Sequence, residues 1–199
     1  MTDFKKIKVI IIDCDGTMTD GIYQVNNKGI VTKSFYTRDL YGIEQMLKND
    51  IKVVIMSQST DNCIYKKLKS IRKTSRSNIW QDAFKKKKII LLRGVDDKRK
   101  KIEDVILSFS SVSNMYESIY FLCNWNNLAY MGDAENDLEC MQKALYTGCP
   151  NDAVTIIKEE SNYLCDTNGG YGAVYEFCMH ILNKIKEQEN ANNETQYRR

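Results

Sequence analysis

The run Ile7-Lys8-Val9-Ile10-Ile11-Ile12, followed at once by Asp13-Cys14-Asp15-Gly16-Thr17, limits what this chain can fold into more than any other stretch. Consecutive β-branched residues suit a central strand buried on both faces, the condition of a strand in a parallel sheet covered by helices on each side. Asp and Gly then end it in a turn. Ligands of open α/β sheets bind beyond the carboxyl ends of the strands, so two carboxylates at this point are placed for chemistry. Taken alone, the same five residues also fit a turn in which Asp and Gly serve only backbone geometry.

The rest of the chain keeps the rhythm that such a sheet requires. Ile22–Val25 and Val31–Tyr36 flank Asn26-Asn27-Lys28-Gly29, a hairpin signal. Asp39 is expected to cap a helix whose Leu40, Ile43 and Leu47 share one face. Strands are expected at Lys52–Met56, Ile89–Leu92 and Leu128–Met131, with a short one at Tyr163–Cys165. Helices are expected at Thr60–Lys73, Asp97–Leu107, Glu135–Leu145 and Ala173–Lys186. The fold class is α/β, a Rossmann-like parallel sheet with helices on both faces. Residues 74–88 and 109–127 break the rhythm and are expected to be surface insertions. Residues 187–199 are polar and expected to be disordered, which leaves 1–186 as one domain.

Composition removes several function classes. No apolar run reaches the roughly 20 residues of a membrane span. Charged Asp3, Lys5, Lys6 and Lys8 stand where a signal peptide needs apolar residues, so the expected location is cytoplasmic. Seven cysteines without a C-x-x-C pair argue against a zinc site or a disulfide framework. A net charge of +3 is small, although Lys66–Lys101 is rich in Lys and Arg, including Lys85–Lys88. A solvated face explains that stretch better than nucleic-acid binding does.

A second acidic cluster, Gly132-Asp133-Ala134-Glu135-Asn136-Asp137, also follows a strand. Asp133 and Asp137 offer hard oxygen ligands, and Mg²⁺ takes one or two carboxylates with water and substrate phosphate completing its shell. Ser57, just past the expected strand Lys52–Met56, can donate to a phosphate oxygen. Lys98, at the start of a helix, can neutralise charge shared by phosphate and nucleophile.

The order DxDGT, Ser, Lys, GDxxND resembles the haloacid dehalogenase superfamily of phosphohydrolases. Asp20-Gly21, the stretch Phe35-Tyr36-Thr37-Arg38-Asp39-Leu40-Tyr41-Gly42-Ile43, Gly94-Val95-Asp96-Asp97-Lys98 and Asn168-Gly169-Gly170-Tyr171-Gly172-Ala173-Val174 resemble its 3-deoxy-D-manno-octulosonate 8-phosphate phosphatase branch. The resemblance implies a capless fold with a β-hairpin flap at about 21–36. It also implies Asp13 as nucleophile and Asp15 as acid-base, the latter favouring an alkoxide leaving group over a halide, which needs no proton. Mg²⁺ would be held by the Asp13 carboxylate, the Asp15 carbonyl and Asp133, with Asp137 orienting the water shell or Lys98. Ser57, Gln58, Lys98, Arg38 and Lys67 are the expected substrate-binding residues, and a keto-deoxy sugar acid phosphate is the expected substrate. Another sugar phosphate, a nucleotide, or a non-catalytic module like those fused to sugar-nucleotide synthetases are the alternatives. Gln58-Ser59 and Tyr171 stand where relatives carry Gly-Arg or Gly-Glu and an Arg. A hairpin over an open site needs a partner, and the resemblance implies that the partner is a neighbouring subunit of a homotetramer.

Overall fold

The computed structural model describes residues 2–75, 77–110 and 124–197. Strand β1 (Val9–Asp13) is buried along its whole length, as its unbroken β-branched sequence requires. The chain then makes a small antiparallel hairpin, β2 (Gln24–Val25) and β3 (Val31–Thr32), before α1 (Thr37–Lys48) and β4 (Lys52–Ser57). Next come α2 (Cys63–Thr74), α3 (Ile79–Lys85), β5 (Ile89–Arg93) and α4 (Lys98–Ser110). The remaining elements are β6 (Leu128–Met131), α5 (Leu138–Met141), β7 (Tyr146–Cys149), α6 (Thr155–Glu160), β8 (Tyr163–Leu164) and α7 (Ala173–Tyr197).

Six strands form one parallel sheet in the order β5-β4-β1-β6-β7-β8. The chain builds outward from β1 in one direction and then crosses back to build in the other. The reversal falls between β1 and β6, where the carboxyl ends of adjacent strands open a crevice. Alternation along β1 divides the core: Ile10 and Ile12 join Ile43, Met46, Phe177 and Ile181 of α1 and α7. Val9 and Ile11 join Ile102, Met141 and Ile157 of α4, α5 and α6. Among the described residues, no helix is long and apolar enough to cross a membrane.

Several elements differ from the sequence expectation. Residues 74–88 do not form a purely superficial insertion, because α3 sends Trp80, 2% exposed, and Ala83 into the core. The Trp80 indole donates to Glu44 on α1 at 3.2 Å, which satisfies its one polar atom. Most of 109–127 lies outside the described residues; Trp125–Asn127 forms a 3₁₀ turn that leads into β6. The expected disordered tail continues α7 through Tyr197. Its Gln188 side chain accepts from the Phe4 N–H at 2.9 Å and donates to the Thr2 carbonyl at 2.8 Å, so it closes over the N-terminal segment.

The helix expected at Glu135–Leu145 shortens to a 3₁₀ turn and α5, and β7 follows unannounced. A Cβ at Gly148 would lie 2.5 Å from the Phe177 ring, so glycine here lets α7 sit directly on the strand. Asp39 does not cap α1, which begins two residues earlier after Tyr36. It is buried and accepts from the Tyr175 N–H at 2.9 Å, satisfying a donor in the first turn of α7. Burial pushes its carboxyl up to about 6, against the backbone hydrogen bonds that favour the ion.

Trp80→Ala is expected to cost about 3–5 kcal/mol in equilibrium denaturation, the loss typical of a large aromatic removed from a core. A change within about 0.5 kcal/mol would mean that residues 74–88 are a surface appendage after all.

Candidate active site

Four separate segments deliver polar side chains to the carboxyl end of the sheet. Asp13 closes β1, Ser57 closes β4, Asp133 lies just beyond β6, and Lys98 opens α4. Asp13, Ser57, Lys98 and Asp137 are all at most 4% exposed. Such groups stay buried only when paired.

Lys98 supplies the pairing. Its ammonium donates to Asp13 Oδ1 and, at 2.7 Å, to Asp137 Oδ1. Asp137 also accepts from Tyr130 Oη at 2.7 Å, and its Oδ2 accepts from the Asp133 and Ala134 N–H groups at 3.1 and 3.3 Å. The turn after β6 is therefore folded around the Asp137 carboxylate. Asp133 Oδ1 accepts from Thr17 Oγ1 at 2.8 Å, which joins this turn to the one after β1. Gly16 allows the approach: its φ is +92°, and a Cβ there would lie 2.1 Å from Asp133 Oδ2.

Three carboxylates, from Asp13, Asp133 and Asp137, bring oxygen atoms within 4.8 Å of one another around one ammonium. Burial and then Asp137 push the Asp13 carboxyl well above its ordinary range, with Lys98 opposing. Burial likewise raises Asp133 to about 6, against the Thr17 hydrogen bond. Burial disfavours charge on Lys98, but Asp13 and Asp137 outweigh it and hold the ammonium protonated. The site thus has surplus negative charge and only oxygen donors, which fits a hard divalent cation such as Mg²⁺.

Asp15 stands apart from this trio. Its Oδ2 accepts from Ser57 Oγ at 3.0 Å and its Oδ1 pairs with Lys33 at 2.6 Å. Ser57 Oγ in turn accepts from the Ser59 N–H at 3.0 Å. Gln58 is exposed and donates to the Asp96 carbonyl at 3.3 Å. Lys67 is half-buried on α2. Arg38 is turned elsewhere, its guanidinium 5.0 Å from the Tyr175 ring centre beside a cavity of about 420 Å³ that includes Tyr36 and Tyr171.

Sequence reasoning missed Lys33, Asp61, Tyr130 and Arg93. Lys33 pairs with Asp61 at 2.5 Å as well as with Asp15. Arg93 donates to the Thr60 and Asp61 carbonyls at 3.2 and 2.6 Å and holds the loop after β4. No local pattern marks these residues; Thr17 alone lay inside a motif already singled out.

No family model matches the chain. N-acylneuraminate cytidylyltransferase A from Danio rerio is 27% identical over 176 residues, covering 88% of this chain and 35% of that protein. The chain therefore spans about a third of the length of the first curated relatives it matches. The 3-deoxy-D-manno-octulosonate 8-phosphate phosphatase KdsC of Yersinia pestis is 26% identical over 88% of this chain and 80% of its own. Among solved structures, a putative 3-deoxy-D-manno-octulosonate 8-phosphate phosphatase from Vibrio cholerae superposes with a TM-score of 0.73 at 26% identity, covering 92% of this chain and 88% of its own. A Moraxella catarrhalis structure, described as that phosphatase in complex with a magnesium ion, a phosphate ion and a KDO molecule, shares the fold at a TM-score of 0.71 and 22% identity, covering 94% of each chain.

Sheet order and strand-end carboxylates among the described residues, together with these likenesses, are those of haloacid dehalogenase superfamily hydrolases. Within that superfamily, the chain is similar to the KdsC-like branch.

Replacing Lys98 with Ala leaves buried carboxylates uncompensated, so Lys98→Ala is expected to lose about 3–5 kcal/mol of stability, measured by denaturation in chelator. A loss below about 0.5 kcal/mol would show that the ammonium does not hold these segments together.

Proposed function

We propose that this chain is a Mg²⁺-dependent phosphatase that hydrolyses a small phosphate monoester through an aspartyl-phosphate on Asp13. The observation that carries the reading is the buried Lys98 ammonium shared by Asp13 and Asp137, beside a third carboxylate on Asp133. Asp13 attacks phosphorus in line, and the bond from phosphorus to the leaving oxygen breaks. Asp15 gives that alkoxide a proton, then takes one from the water that attacks the phosphoryl group and frees Asp13. Lys98 offsets charge on nucleophile and phosphoryl oxygens, and Ser57 donates to a phosphoryl oxygen once substrate displaces its contact with Asp15. Asp13, Asp133 and the Asp15 carbonyl would hold Mg²⁺, with Asp137 behind them, and the ion supplies further charge stabilisation for the transferring group.

For the substrate we assign a keto-deoxy sugar acid phosphate, of the 3-deoxy-D-manno-octulosonate 8-phosphate or nonulosonate 9-phosphate type. The names of the relatives on both sides, phosphatases and N-acylneuraminate cytidylyltransferases, support that class. Gln58, exposed directly after Ser57, is assigned to the sugar portion. Arg38 and Lys67 keep the lesser role of supplying positive charge to an acid substrate. The cytidylyltransferase likeness favours a second reading, a non-catalytic assembly module. The retained Asp13, Asp15, Lys98 and Asp133 weigh against it.

The hairpin supports a homotetramer in which the flap of one subunit covers its neighbour's site. Ile22, Tyr23, Val25 and Ile30 are each more than half exposed, apolar flanks of the hairpin that a partner subunit would bury. Light scattering is expected to give about four times the 23.1 kDa chain mass. A fully active monomer would contradict this.

With Mg²⁺, phosphate release from sugar acid phosphates is expected to exceed that from hexose phosphates and nucleotides in kcat/KM, and chelator is expected to abolish it. Asp13→Asn should keep the fold and lose turnover by ~10³-fold or more. Wild-type turnover in that variant, or full activity without metal, would overturn the mechanism.

A further inference from the structure

Lys33 is an anomaly on the flap. Its neighbours Thr32 and Ser34 are exposed, yet its own side chain is only 5% accessible. A long cationic side chain is buried this deeply only when its charge is met. Two carboxylates meet it, Asp15 at 2.6 Å and Asp61 at 2.5 Å, so one ammonium from the flap bridges the turn after β1 and the loop after β4.

The second anchor is rigid. Asp61 accepts from Ser59 Oγ at 2.5 Å and from the Cys63 N–H at 2.7 Å, while Arg93 grips its carbonyl. Cys63 Sγ donates to the Val31 carbonyl at 3.5 Å, holding the outgoing flap strand against the start of α2. Lys33 is thereby fixed in space and fixes Asp15 Oδ1, while Ser57 fixes Oδ2. Each oxygen of this carboxylate has one donor, and one of the two donors is carried by the flap.

We infer that Lys33 is a positioning residue for Asp15, making the orientation of the acid-base depend on the seating of the flap in its own subunit. This rests on the phosphatase reading above. A displaced flap withdraws Lys33 and leaves Asp15 held by Ser57 alone, so proton delivery to the leaving oxygen suffers while attack by Asp13, whose partners lie on the other side of the turn, does not.

The test compares two esters with Mg²⁺ present. The first is 3-deoxy-D-manno-octulosonate 8-phosphate, whose alkoxide leaving group needs a proton. The second is p-nitrophenyl phosphate, whose phenolate leaves without one. Lys33→Met is expected to lower kcat on the sugar ester by ~10–100-fold, part of the roughly 10²–10⁴-fold that a positioned acid supplies, with KM nearly unchanged. Turnover of p-nitrophenyl phosphate should fall by less than about threefold, and Lys33→Arg should restore most of the sugar-ester rate. If Lys33→Met does not fold, Lys33→Gln, which keeps a donor of shorter reach, should show the same dependence on leaving group. Equal losses on both esters, or no loss, would overturn the inference. A wild-type protein that hydrolyses neither ester would instead sink the phosphatase reading, and the inference with it.

Discussion

A single ammonium, that of Lys98, sits almost fully buried between the carboxylates of Asp13 and Asp137. Without it, the end of the central strand and the turn after β6 would bring like charges together in a dry place. With it, they converge, because the attraction offsets the cost of taking each group from water. The convergence falls where the sheet reverses direction, between β1 and β6, so the crevice at the strand ends and this cluster of charge coincide. Surplus negative charge beyond what Lys98 neutralises is what suits the site to a divalent cation.

Around that pair the turns are packed with little slack. Gly16 has no side chain because Asp133 occupies the space, and Thr17 uses its hydroxyl to hold Asp133. The Gly170 N–H donates to the Thr17 carbonyl at 3.1 Å, so the loop before α7 braces the same turn from the far side. Such bracing holds the turn at Asp13, while the flap beside it consists of two short strands of two residues each.

Much of this was legible in the sequence. Ile10–Ile12 ahead of DCDGT gave the central strand, and the spacing of Ser57, Lys98 and the GDxxND segment gave the other members of the site, because each follows a strand or opens a helix. What stayed hidden depends on partners distant along the chain. The burial of Lys33 is decided by Asp15 and Asp61, and no window around residue 33 contains that information. Asp39 looked like a cap for α1, yet it lies within that helix and serves α7, more than a hundred residues later. The stretch 74–88 looked superficial because lysines surround Trp80, and only α1 beneath it makes the tryptophan a core residue. Strand β7 was missed because Gly148, a poor strand former by itself, is there for the ring of Phe177.

The central claim is that Asp13, poised by Lys98, becomes phosphorylated. Acid quenching during turnover with Mg²⁺, followed by mapping of the phosphoryl group to a peptide, tests it most directly. The account predicts a phosphoryl group on Asp13 that is absent in chelator and absent from Lys98→Ala; phosphate release with no phosphorylated intermediate, or with the label on another residue, would contradict it.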